Sequence, residues 1–418
     1  MEMGRFADLS EEEFVKTQLK YRPSRGKVQM VTREILRDPA AAFAKNEARL
    51  GSRDDENYDD LPAQFSWTEP QPGFGDVVGE VHNQQDICAS CWAFVSADSI
   101  AGRWAVATKT DVVPMSVKQL MVCDHQDNGC NTGNMYTAYD WIGENGGLST
   151  QEAYDARVPG ETQDDERATC DASVPLEITT PGMCDLKMTA GNRALMIAIK
   201  EAGPVAIGIN ANNLQFYESG IIDAASCPPA GRGIQSINHA ALLVGWGEEN
   251  GVKYWLVKNS YGLDFGENGY FRLERAAPSP DTLFGTCGLL FESVFPVVVP
   301  AGSDSDEGTL RAQCTEGSVF KQDYYRNEAD NPGASASAMA EAEATLSASL
   351  GKMRARGAAL GAAPWRVDSH TRGVDARWEG AKSFAVGASL VVAAAGVALA
   401  GLRLSKGRAQ EETIPLIG

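Results

Sequence analysis

The chain has 418 residues, an ordinary 43% hydrophobic content and a formal net charge of -19. That length leaves room for one substantial domain with flanking segments. The acidic surplus argues against nucleic acid as a partner, because phosphate binding needs clustered Lys and Arg, and against anchoring to acidic lipid through a basic patch.

Residues 1–60 are charged and mostly polar. Within them the run G-R-F-A-D-L-S-E-E-E-F at 4–14 predicts a short helix opened by a capping box, Ser10 with Glu13. The acidic stretch 53–60 reads as an exposed linker open to proteolysis. Residues 61–299, rich in Trp, Tyr, Gly and Cys, form the folded core. Residues 300–382 turn acidic and then Ala- and Ser-rich, the composition of a stalk. Residues 383–402 carry no charge and span about 30 Å as a helix, enough to cross a bilayer. Arg403, Lys406 and Arg408 follow at once, so residues 403–418 read as a short cytosolic tail. The competing reading of 383–402 is a buried or surface Ala-rich helix.

Nine cysteines stand at 88, 91, 123, 130, 170, 184, 227, 287 and 314, so at least one thiol is unpaired if the others form disulfides. Their spacing fits no zinc site, since Cys88 and Cys91 form a lone C-x-x-C. After Cys91, apolar Phe94, Val95, Ile100, Ala101 and Trp104 predict a largely buried helix. Cys91 then lies at a helix N-terminus, where the dipole and free amides favour a thiolate. Two readings compete: a redox dithiol, or a nucleophilic Cys91 beside a structurally paired Cys88. A nucleophile needs a base, an orienting group and an oxyanion donor. Of the four histidines, His82, His125, His239 and His370, only His239 opens an apolar strand from which its ring can enter a cleft. Twenty residues on, Asn259 ends a second strand before a Gly-rich turn.

Q-D-I-C-A-S-C-W-A-F (85–94), I-N-H-A-A-L-L-V-G-W-G (237–247) and Y-W-L-V-K-N-S-Y-G-L-D-F-G-E-N-G-Y-F-R-L (254–273) resemble, in order, the three active-site blocks of the papain-like cysteine peptidases. N-G-C-N-T-G (128–133) resembles the family's substrate-binding loop, and the 4–14 run resembles the end of its inhibitory propeptide. The redox reading explains none of the later blocks. The resemblance implies an α+β, papain-like two-lobed fold, with a helical left lobe, a β-barrel-like right lobe and the cleft between them. To this the sequence adds the single transmembrane helix at 383–402. It implies Cys91 as nucleophile, His239 as base and then acid, Asn259 as orienter, and Gln85, with Gln84 the less favoured neighbour, as oxyanion donor. It also implies disulfides Cys88–Cys130, Cys123–Cys170 and Cys227–Cys287. Cys184 and Cys314 are left to pair or to stay free. No cofactor and no metal are implied. The partners are protein or peptide substrates, the chain's own propeptide as inhibitor, and a membrane through the C-terminal helix.

Three positions depart from the family pattern: Ala89 and Thr132 where Gly is usual, and Tyr261 where Trp is usual. Gly133, Met135, Gly208, Ala240 and Glu292 fall at the positions that bind substrate, the last four at the second subsite. A carboxylate at that pocket's floor predicts tolerance of Arg beside Leu or Phe. The sequence lacks the histidine-bearing insertion of the carboxydipeptidase variant, which favours an endopeptidase made as a zymogen. The alternatives are a weak or inactive papain-like scaffold acting as a binding module, and a peptide ligase. Disulfides call for an oxidising compartment, and Met1 falls almost inside the propeptide motif, so a signal peptide is expected upstream. The expected protein is single-pass, its catalytic part lumenal or extracellular. E-T-I-P-L-I (412–417) resembles an acidic dileucine signal for lysosome-like compartments, with the cell surface as the other destination.

Overall fold

A computed structural model describes residues 5–23, 58–84, 88–159, 169–186, 191–227, 236–276 and 284–322. In chain order these form α1 (Glu11–Gln18), β1 (Phe65–Ser66), α2 (Cys91–Thr108), α3 (Val117–Cys123), α4 (Met135–Glu144), α5 (Gln151–Asp155), β2 (Ile178–Leu186), α6 (Gly191–Ala202), β3 (Val205–Ile209), β4 (Ile221–Ile222), β5 (His239–Glu249), β6 (Val252–Lys258), β7 (Tyr270–Glu274), β8 (Glu292–Pro300), α7 (Glu307–Arg311) and β9 (Ser318–Lys321). Helices thus dominate the first half and strands the second, the arrangement expected of the two-lobed α+β fold.

The strands join in one sheet in the order β4-β7-β6-β5-β3-β8-β2-β9, with β1 added on β5. All neighbours run antiparallel except β4 and β7. Strand β5 is buried on both faces over its first nine residues, which is why H-A-A-L-L-V-G-W-G does not alternate in polarity. Its link to β6 is a two-residue turn, Asn250-Gly251, with both residues at positive φ (53° and 81°). Asn and Gly tolerate that backbone, and it matches the strands' own twist. The turn sets the register Glu249↔Val252 and Trp246↔Trp255, and one bulge between Leu243 and Gly245 shifts it to Leu242↔Lys258.

Helix α2 is buried along most of its length, including Ala93, Ala97, Ala101 and Ala105. Small side chains at intervals of four let it lie close against β5 and β8. Gly102 lets the helix approach the link between α6 and β3, since a Cβ there would stand 3.0 Å from Cγ of Pro204. The helix stops at Lys109, which takes the left-handed conformation. Helix α1 opens on the expected capping box, with Ser10 and Glu13 each satisfying the other's backbone N–H.

Disulfides join Cys88 to Cys130, Cys123 to Cys170, Cys227 to Cys287 and Cys184 to Cys314. Cys91 is the free cysteine. The Cys184–Cys314 pair answers the question the sequence left open, and it changes where the folded unit ends. Residues 300–322 begin the expected stalk, yet α7 and β9 lie against the domain. Strand β9 pairs with β2, Lys321 meets the Asp185 carboxylate, and the Arg311 guanidinium covers the Phe320 ring. The reason is an edge: without β9, strand β2 would present unpaired backbone groups to solvent. The expected span 383–402 and tail 403–418 lie outside the described residues. Among the described residues no helix is long and apolar enough to cross a membrane. Replacing Cys184 and Cys314 together by Ser is expected to lower the unfolding free energy by roughly 2–4 kcal/mol, read as a lower urea midpoint.

Candidate active site

Cys91 is the first residue of α2, and His239 is the first residue of β5. Asn259 follows the last residue of β6. The β5–β6 register brings the imidazole and the amide together: His239 Nε2 lies 2.8 Å from Asn259 Oδ1. That oxygen also accepts the Ser260 N–H at 2.9 Å, which fixes the amide's orientation. An amide oxygen only accepts, so Nε2 carries the proton and Nδ1 offers a lone pair. The Tyr261 hydroxyl donates towards that lone pair from 3.4 Å, and its ring lies over the imidazole at 5.0 Å between centroids. Tyr261 therefore covers the imidazole with its ring and adds a polar contact through its hydroxyl. Backbone N–H groups at Cys91 and Trp92, and at Ala240 next to His239, act on the Cys91 sulfur and favour its thiolate.

Residues 5–23 lie across this constellation. Phe6 and Phe14 pack edge-on against Tyr261, at 5.1 and 6.4 Å. Arg5 bonds the Tyr261 carbonyl and the Asp264 carboxylate. Gln215 donates to the Leu9 carbonyl at 2.7 Å. Beyond α1 the segment enters the cleft: Thr132 Oγ1 donates to the Lys20 carbonyl at 2.8 Å, and the Tyr21 N–H donates to the Asn238 carbonyl at 3.1 Å. Thr132, a departure from the family pattern, thus supplies a side-chain donor to the bound strand. Gly133 has a steric reason: a Cβ there would come within 2.3 Å of the Trp92 indole. Ala89 is buried, with its N–H on the Cys130 carbonyl.

Under this cover both reactive groups are fully buried. Burial pushes the Cys91 thiol up to about 12, against the lowering effect of the backbone hydrogen bonds at the helix start. Burial likewise pushes the His239 ring down to about 4, although its bond to Asn259 works the other way. The covered site therefore holds a neutral thiol and a neutral imidazole. The thiolate that a helix start favours needs water or substrate dipoles that this burial excludes.

Of the expected substrate-binding residues, Gly208 on β3 faces Glu292 on β8 in register. Met135, Ala240 and Glu292 are all buried. Gln85 lies outside the described residues. Its neighbour Gln84 is engaged elsewhere: its oxygen accepts the Ser260 hydroxyl at 2.8 Å and its amide donates to Gln18 at 3.2 Å. Among the described residues no group of acidic, His or Cys side chains is placed to hold a metal ion.

Three participants escaped the sequence reading. One is Asn134. The others are Asp98 and Lys258, which join α2, the helix that begins at Cys91, to β6, whose last residue is Lys258. Lys258 Nζ lies 2.8 Å from Asp98 Oδ2 with its side chain only 1% exposed, and His82 Nε2 lies 3.1 Å from Asp98 Oδ1. His82 is thus part of a partly buried ionic group. The only available sequence signal was that K258 directly precedes N259.

Residues 61–297 match the family described as "Papain family cysteine protease". The chain is 33% identical over 260 residues to a KDEL-tailed cysteine endopeptidase of Arabidopsis thaliana, covering 60% of this chain and 65% of that protein. It is 33% identical over 208 residues to a viral cathepsin of Heliothis zea nuclear polyhedrosis virus, covering 50% of this chain and 51% of that one. The chain thus spans between about half and two thirds of these relatives' lengths. Among solved structures, the Amb a 11 cysteine protease of ragweed pollen in its proform aligns with a TM-score of 0.50 at 28% identity, over 71% of this chain and 80% of that one. The chain belongs to the papain family of cysteine proteases.

Burial alone would push the Asp98 carboxyl up, but Lys258 and His82 outweigh it and hold the group down to about 2. A depressed folded value stabilises the fold above the ordinary carboxylate value of 3.8, and that stability is lost as pH falls towards 2. The shift corresponds to roughly 2 kcal/mol. Lys258→Met is therefore expected to lower the urea midpoint by a constant amount between about pH 5 and 7, with the deficit narrowing below about pH 4. A deficit independent of pH would show that the ion pair is not its cause.

Proposed function

We propose that the chain is a cysteine-type endopeptidase made as a zymogen, with residues 1–60 as a partial inhibitory propeptide and linker and 61–299 as the catalytic part. The observation that carries this reading is the geometry of His239. Its Nε2–H is tied to Asn259, so Nδ1 is left as the basic nitrogen in a cleft whose facing wall ends in a free cysteine at a helix start. That is the division of labour a Cys–His–Asn site requires.

With the cover removed, Nδ1 takes the Cys91 proton and the thiolate attacks the peptide carbonyl carbon. The oxyanion accepts hydrogen bonds from the Gln85 side-chain amide and the Cys91 N–H. His239 then gives its proton to the departing amine, and the C–N bond breaks to leave a thioester on Cys91. Water, deprotonated by His239, adds to the thioester, and the carboxylic acid leaves as the thiol is restored. Asn259 turns the imidazole without neutralising it, and Tyr261 keeps water from their hydrogen bond. Gly133 contacts the substrate backbone, while Met135, Gly208, Ala240 and Glu292 line the second subsite.

The segment 383–402 tethers the protein as a single-pass membrane protein with its catalytic part lumenal or extracellular, in a lysosome-like compartment or at the cell surface. Four disulfides support the oxidising side of a membrane. No cofactor enters the reaction.

Alkylation tests the site directly. In the covered chain, iodoacetamide labelling of Cys91 is expected to be slow at pH 7 and to rise about tenfold per pH unit, because only the thiolate reacts. After removal of the cover the rate at pH 6 is expected to increase by at least about a hundredfold, as the imidazolium becomes available to stabilise the thiolate. Cys91→Ser should abolish both labelling by a peptidyl epoxide and peptide hydrolysis. Hydrolysis that survives Cys91→Ser would refute the mechanism.

A further inference from the structure

The side chain that fills the second subsite in this structure belongs to the chain itself. Tyr21 is 2% exposed and reaches the pocket between Gly208 and Glu292. Its hydroxyl donates to Glu292 Oε2 at 2.7 Å and accepts from Asn134 Nδ2 at 3.1 Å. The phenol oxygen is thus used both as donor and as acceptor. Its ring is admitted by a missing side chain: a Cβ on Gly208 would stand 3.2 Å from Tyr21 Cε1 and 3.1 Å from Glu292 Oε2.

Asn134 Nδ2 also donates to the Arg22 carbonyl at 2.7 Å, while the oxygen end of the amide is fixed by the domain itself. Its Oδ1 is held by the Tyr136 N–H at 2.7 Å, as the N-cap of α4, so the amide can present only N–H to the pocket. Its own N–H donates to Asp127 Oδ1 at 2.9 Å, and the Thr137 hydroxyl ties the same carboxylate to the helix. Glu292, fully buried on β8, supplies the acceptor. The pocket therefore offers one fixed donor and one fixed acceptor at the depth of a para-hydroxyl.

We propose that this pocket selects tyrosine at the second position before the cut, in preference to phenylalanine, leucine or arginine, with Asn134 and Glu292 as its specificity-determining residues. The proposal rests on the peptidase reading above for the identity of the pocket, and on Tyr21 for its chemistry. Phenylalanine would forfeit both bonds to the hydroxyl in a dry site, where sites built to bond a hydroxyl discriminate most strongly. Leucine fails for the same reason and is shorter. Arginine satisfies Glu292 but has no lone pair to accept from Asn134. The match is between a side chain and its pocket, so it holds for either chain direction.

The test compares Tyr-Arg, Phe-Arg, Leu-Arg and Arg-Arg fluorogenic reporters on the full-length protein after removal of its cover. Tyr-Arg is expected to exceed each of the others in kcat/KM, and Phe-Arg by about tenfold or more. Asn134→Leu should bring the Tyr-to-Phe ratio close to one. Phe-Arg or Arg-Arg equal to or ahead of Tyr-Arg in the unmutated protein would overturn the proposal, whether or not the variant folds. A second readout does not depend on turnover. A synthetic peptide of residues 5–23, added to protein from which that segment has been cut, should bind about tenfold more tightly than its Tyr21→Phe form. No cleavage of any reporter together with this binding difference would sink the peptidase reading and support the pocket assignment. Equal binding of the two peptides, or no binding of either, overturns the pocket assignment.

Discussion

Asn250 and Gly251, both in the left-handed region, close the β5–β6 hairpin in two residues, and that turn decides which residue faces which along its whole length. A one-residue slip would send every side chain of β5 to the opposite face. The His239–Asn259 bond sits at the far end of the hairpin, where an error in register would do the most damage. The bulge between Leu243 and Gly245 is part of the same setting, since it carries the pairing from Gly245↔Leu256 to Leu243↔Val257 and on to Leu242↔Lys258. Close packing at Gly245 holds the bulge in place: a Cβ there would meet the Phe65 carbonyl at 2.3 Å. The site's precision is thus inherited from a turn remote from its chemistry.

The second organising fact is that the cover acts on charge as well as on access. Steric occlusion would suffice to keep substrate out. Burial beneath the cover goes further and makes both ions, a Cys91 thiolate and a His239 imidazolium, unfavourable. The helix dipole at Cys91 has not vanished, but an exposed helix end and a buried one differ in what else must be supplied. The aromatic contacts of Phe6 and Phe14 with Tyr261 place the cover's apolar anchor directly on the residue that shields the His–Asn bond.

The parts of this arrangement that could be read from sequence are those carried by local patterns. The capping box at Ser10 and Glu13 spans three residues, and the helix beginning at Cys91 announces itself by its apolar positions. His239 and Asn259 stand in runs long enough to be matched block by block. What stayed hidden is held together across long separations: Tyr21 and Glu292 are 271 positions apart, and Lys258 and Asp98 are 160 apart. Asn134 was missed for a different reason. Its residue type reads as a helix cap, which it is, and nothing local says that the cap's other end faces a pocket. Cys184 and Cys314 could be counted but not joined, because pairing depends on where β2 and the segment after β8 meet. The segment 300–322 looked like the start of a stalk because its composition is polar, while what holds it includes a disulfide, the pairing of β9 with β2 and two bonds between Gln313 and Val298.

That disulfide also has a mechanical meaning. Strand β9 ends at Lys321, seven residues beyond Cys314, and it lies antiparallel to β2 at the border of the sheet. Tension arriving from the C-terminal side can peel β9 away one hydrogen bond at a time. It then meets a covalent link to Cys184, in the body of β2, and the load passes into the sheet there. From Cys184 the load spreads across the long antiparallel pairing of β2 with β8, instead of running through the backbone between Pro300 and Cys314 alone.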